Sequence, residues 1–263
     1  MAPFELICEI EPPTRPTMVH ARHQIGVLST VADGFLVPDN HLGRATVSSV
    51  AVAHEVAAMG GRAIACLNSR DRNVLGFRRD LLTAAAYGVD EFLLVYGDRP
   101  ESGRRSDDVS VRRMIEEVRS FGESEVFDGQ NPFRLGVTSR LESLPAFKLE
   151  ADFVFAQVSY STDSLLRWRE SLRFDGKVYA AIMIVASAAM AKRLSADNEQ
   201  LAVPADVVDR IEADRDYGVA LACDLIEAIR ASRAFDGVHL IPVSRYREVA
   251  LRLEQQGWAT SRR

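Results

Sequence analysis

Six polar residues interrupt or follow apolar runs that read as buried strands: Glu9, Asp39, Asn68, Asp98, Gln157 and His239. Glu9 lies in FELICEIEPP (4–13), where Phe4, Leu6, Ile7, Cys8 and Ile10 are apolar and a double proline stops the strand. Glu9 and Glu11 break that run, and a carboxylate on a strand fit for burial is costly unless it has a partner or a task. A carboxyl at Glu9 could donate a proton, an anion at Asp98 could stabilise a developing cation, and the amide of Gln157 both gives and accepts hydrogen bonds. Each also has a plainer reading: a strand-end acid or ion pair for Glu9, a turn aspartate for Asp98, a loop tie for Gln157. His239, inside the apolar run GVHLIPV (237–243), reads as a hydrogen-bonded core histidine rather than a ligand or base. Arg104 and Arg105 read as a solvated loop pair. No cluster has metal-ligand spacing, and no serine sits in a nucleophile elbow.

The elements that must position these residues alternate. Strands are expected at 4–13, 33–37, 62–67, 91–96, 133–137, 152–158, 177–185 and 237–243. Helices are expected at 18–31, 44–59, 74–87, 109–121, 141–148, 162–172, in several pieces up to 230, and from a Ser244 cap to 256. Thr162 or Asp163 is the expected cap of the helix at 162–172. The strands are near-continuous apolar runs, the mark of parallel strands covered on both faces. Eight such units in 263 residues fit a single-domain (β/α)8 TIM barrel over 1–263 better than an open sheet. No GxGxxG follows an early strand, which argues against a Rossmann domain. In such a barrel the C-terminal strand ends meet at one mouth, so Glu9, Asp98 and Gln157 could converge.

Composition narrows the partners. A net charge of -5 leaves no basic surplus for nucleic acid. Cys8, Cys66 and Cys223 are scattered and odd in number, as reduced core residues of a cytoplasmic protein would be. The longest apolar run, 178–191, is shorter than the ~20 residues of a membrane span, and the N-terminus carries acids where a signal peptide needs a basic start.

The motifs resemble the methylenetetrahydrofolate reductase family through most of the chain and in order. ICEIEPP resembles that family's first-strand motif, LNSRDRN its third-strand motif, AYGVDEFLLVYGDRP the segment ending in Gly-Asp-x-Pro, and LEADFVFAQVSYS the strand bearing its glutamine. VPADVVDRI and GVHLIPVSRY also fit. The resemblance implies a (β/α)8 barrel that reduces 5,10-methylenetetrahydrofolate to 5-methyltetrahydrofolate. It places the catalytic glutamate on Glu9, the aspartate near the pterin on Asp98, and the pterin-binding glutamine on Gln157. Ring opening to an iminium asks for a carboxyl that keeps its proton near neutrality, which an apolar surrounding favours.

The chain also departs from the family. The segment after the fifth strand, GVTSRLESLPAFKLEADF, lacks the Tyr/Pro…His-Pro stretch with which FAD-dependent members hold flavin; only Lys148 matches there. The family phenylalanine after the seventh strand falls on Ala188. This counts against FAD and points to the flavin-independent branch, with NADH or NADPH passing a hydride directly. An FAD enzyme with different contacts, a deazaflavin reductase and a non-catalytic folate-binding barrel are the other readings of the same residues.

Overall fold

Strand residues two apart share a face, and this period builds the molecule. In the computed structural model, which describes residues 3–129, 131–197 and 201–259, eight parallel strands close in sequence order into one barrel. They are β1 (Glu5–Glu9), β2 (Gly34–Val37), β3 (Ala63–Asn68), β4 (Glu91–Val95), β5 (Arg134–Ser139), β6 (Phe153–Ala156), β7 (Lys177–Met183) and β8 (Gly237–Ile241). β8 returns to pair with β1, Ile7 lying opposite His239. Around the barrel run α1 (Val19–Leu28), α2 (Ser49–Ala58), α3 (Val74–Ala86), α4 (Val111–Gly122), α5 (Thr162–Ser171), α6 (Ala188–Asp197), α7 (Ala205–Ala213), α8 (Tyr217–Ser232) and α9 (Tyr246–Gln255). The expected (β/α)8 barrel is the observed fold.

Two apolar layers result. Inside the barrel, Ile7, Leu36, Ile64, Cys66, Leu93, Phe153, Phe155 and Tyr179 pack together. The opposite strand faces meet the helices in a larger shell that includes Leu6, Cys8, Leu94, Val154 and Leu240. Gly136 makes room for the interior, since a Cβ there would lie 1.9 Å from the Phe153 ring. All three cysteines are free and buried, and burial pushes their thiol pKa values up. No helix among the described residues is long and apolar enough to cross a membrane.

Several strands are shorter than expected, β1 above all, which ends at Glu9 rather than at 13, and four helix ends differ for physical reasons. The helix expected at 141–148 is only a 3₁₀ turn, Ala146–Lys148. Pro145 disfavours helix in the residue before it, and Leu141 is left-handed at φ 62°. The helix expected from 44 begins at Ser49, because Val47 N–H is held in an extended stretch by the Pro13 carbonyl at 2.8 Å. Ser161, not Thr162 or Asp163, caps α5, its side chain accepting from Ser164 N–H at 3.2 Å. Ser244 does not cap α9: the turn at Val243 (φ 51°) places Arg245 at the cap position. Residues 198–200, within the region read as helical pieces, lie outside the described residues.

Candidate functional site

On β1 the period of two runs Glu5, Ile7, Glu9, from floor through interior to mouth. The same alternation carries Phe153 and Phe155 to Gln157 beyond β6, Leu93 and Val95 to Gly97-Asp98 beyond β4, and Cys66 to Asn68 on β3. These series open into a cavity of about 380 Å³ at the C-terminal mouth, within the size range of small-molecule sites. Glu9, Asp98 and Gln157, the three expected site residues, all line it.

Each is held differently. The Glu9 side chain is 16% exposed, and its Oε2 stands 3.4 Å from His239 Nε2. That nitrogen is buried and makes no hydrogen bond; the pair faces each other without hydrogen-bond alignment. The His239 ring is set edge-on against Phe155 at 5.1 Å, and Phe155 stacks on Tyr179 at 4.8 Å. Asp98, exposed at the rim, lines the cavity, and its Oδ2 accepts from Leu42 N–H at 2.8 Å. Gly97 delivers it: φ is +92°, and a Cβ would sit 2.9 Å from Asn68 Cβ. Gln157 is anchored through its backbone N–H to the Ser139 carbonyl at 2.7 Å; its amide has no partner among the described residues.

Asp39 lines the mouth and Asn68 is buried behind it, and both serve the scaffold. Asn68 Nδ2 and N–H donate to Asp39 Oδ2 at 2.7 and 3.0 Å. Arg72 also donates to Asp39, and its Nε to Asp80 at 2.8 Å. This hub fixes the loops after β2 and β3. His239 is the site residue that the sequence reading left in the core. Its signal was barrel closure, since β8 beside β1 puts it next to Glu9.

A second cavity of about 260 Å³ adjoins the first, sharing Tyr96, Thr138 and Arg140 as its wall. Lys148 lines it, with Nζ donating to the Thr138 carbonyl at 2.6 Å. Burial and then the Arg140 charge lower its pKa. Two cations therefore share this cavity wall. Arg105, read as solvated, is exposed but stacks over Tyr96 and pairs with Asp107 at 2.9 Å. Among the described residues no His, Cys, Asp or Glu group is arranged to hold a metal.

Fold and site together define a (β/α)8 barrel protein whose polar, carboxylate-bearing cavity opens where the strands end. The family model for methylenetetrahydrofolate reductase matches residues 24–257. The chain belongs to that family, although Glu9 lies ahead of the matched stretch. A search of curated proteins finds no match. Among solved structures, an uncharacterized protein from Clostridium thermocellum that binds two copies of 5-methyl-5,6,7,8-tetrahydrofolic acid is similar at TM-score 0.64 and 10% identity, over 97% of this chain and 96% of that one. EDTA monooxygenase (EmoA) from Chelativorans sp. BNC1 is similar at TM-score 0.56 and 9% identity, over 98% and 95%. A mutant tryptophan synthase α-subunit from Pyrococcus furiosus follows at TM-score 0.51 and 14% identity, over 97% of each chain. At these identities the likeness is one of fold.

Proposed function

We propose that this protein reduces 5,10-methylenetetrahydrofolate to 5-methyltetrahydrofolate, taking the hydride directly from NADH or NADPH. The observation that carries the reading is the convergence of Glu9, Asp98 and Gln157 on one mouth cavity in a chain of this family. The tetrahydrofolate binding of the Clostridium thermocellum neighbour agrees with it. In this reading the unpartnered amide of Gln157 holds the pterin. Glu9 protonates the leaving bridge nitrogen as the five-membered ring opens, a service worth ~10²–10⁴ in rate. Asp98 lies opposite the resulting iminium cation and stabilises it. The hydride adds to the iminium carbon, giving the methyl group and oxidised dinucleotide. A solvent proton restores the Glu9 carboxyl after each turnover, and His239, 3.4 Å away, faces that group.

The adjoining cavity of about 260 Å³ supports the phosphates of a dinucleotide whose nicotinamide reaches the mouth cavity beside it. Arg140 and Lys148 line it beside Glu142, neither cation in an ion pair among the described residues, an arrangement suited to its phosphates. The residues present do not fit a flavin. Phe147 is the one aromatic residue in 140–151; it lies against the Arg112 guanidinium at 4.9 Å and lines neither cavity. The test is an absorbance spectrum of the purified protein, followed by NADH and NADPH oxidation with methylenetetrahydrofolate and no added flavin. A colourless protein that turns over is expected. A yellow protein, or activity only with FAD, overturns direct transfer. Folate binding without turnover under every donor overturns the reductase reading.

A further inference from the structure

At the opposite end of the barrel, where the strands begin, lies a third cavity of about 240 Å³, with Arg169, Arg230, Arg233, Asp236, Phe4 and Phe235 in its wall. Three arginines line it in a chain of net charge -5. Its one carboxylate is already engaged in holding backbone: Asp236 Oδ2 accepts from Val178 N–H at 2.8 Å. Arg169 uses Nε on the Ala234 carbonyl at 2.8 Å. Arg230 lies over Trp258 at 4.6 Å, and its nearest carboxylate, Glu227, is 3.7 Å away. The Arg233 side chain has no partner among the described residues.

Helix C-termini attract cations, and that accounts for Arg169 on α5 and Arg230 on α8. Arg233, the residue that caps α8, shares that position and differs from the other two in its backbone. This residue follows α8 in the left-handed region at φ 55°, where glycine is the unstrained choice. A long charged side chain stands there against backbone preference and lines the cavity.

We propose that this cavity binds a polyphosphate, either free or as the phosphate end of a nucleotide. Guanidinium forks match phosphate oxygens in pairs, and three of them exceed what a single carboxylate requires. The volume lies below the ~300 Å³ at which sites for whole drug-sized ligands begin, so a small anion or only the phosphate end enters. The site is independent of the proposed reductase chemistry.

The test is titration of the full chain with pyrophosphate, and separately with ATP, at constant ionic strength, read by calorimetry. Saturable binding with Kd below about 1 mM is expected, weakened about tenfold or more in Arg233→Gly and in Arg230→Gln. Ligand-free Arg233→Gly should melt no lower than the parent protein, because glycine relieves the backbone. Equal affinity for the two ligands assigns the site to free polyphosphate, and tighter ATP binding assigns it to a nucleotide. Absence of saturable binding by both, or undiminished binding in both variants, overturns the proposal.

Discussion

Glu9 and His239 come from the first and last strands and meet only because the barrel closes. If Glu9 is the proton donor, Glu9→Gln keeps the shape and loses the acid, and kcat should fall by ~10²–10⁴ with little change in folate binding. His239→Asn should move the pH profile of kcat, because the carboxylate loses the group that faces it at 3.4 Å. An unaltered profile would leave His239 a packing residue. Arg140 is exposed and makes no hydrogen bond among the described residues, so Arg140→Ala should leave stability unchanged. It should raise the KM for the dinucleotide about tenfold without raising that for folate. A rise in both would place Arg140 on the folate side.

At the scale of elements, the loops after β2, β3 and β4 form one interlocked rim. Asp98 takes the Leu42 N–H, Glu101 N–H bonds the Gly43 carbonyl at 3.0 Å, and Arg44 pairs with Glu101 at 2.5 Å. Gly97 is the weak point of this rim, pressed on Asn68 at a positive φ. Gly97→Ala should destabilise by about 1–3 kcal/mol and raise the KM for folate by shifting Asp98. Urea unfolding and steady-state kinetics check the two effects, and unchanged kinetics would separate Asp98 from folate binding. Turn glycines and loop carboxylates were visible in the sequence. Their interlocking was not, since residues 42 and 98 lie on different loops and meet only when β2, β3 and β4 align.

For the whole molecule, the barrel floor is closed by charge. Glu5 accepts from Lys177 at 2.6 Å, from Arg62 at 2.9 Å and from Tyr179 at 2.5 Å, while Arg62 also pairs with Glu91 at 2.8 Å. Burial pushes the Glu5 carboxyl up, but these hydrogen bonds outweigh burial and hold it at about 2 against an ordinary 4.5. A carboxyl depressed in the folded state stabilises fully above its unfolded pKa and loses that contribution as pH falls toward the folded one. Between pH 4.5 and 2 the floor should therefore give up as much as about 3 kcal/mol. Urea midpoints across that window should fall more steeply for the parent protein than for Glu5→Gln. Parallel curves would mean that Glu5 carries no such linkage.

The sequence by itself determined the strand–helix alternation, the parallel barrel and the two faces of each strand, because side-chain period and apolar runs are local properties. It also marked Glu9, Asp98 and Gln157, since a carboxylate or amide at the end of an apolar strand is a local anomaly. Tertiary structure alone decided which of the six polar positions share the cavity freely and which brace it. Asp39 and Asn68 look like site residues along the chain, yet they are consumed by Arg72 and by each other. His239 looks like core, yet the pairing of β8 with β1 turns it onto Glu9. Those outcomes depend on register between strands up to the length of the chain apart, which no short window of sequence encodes.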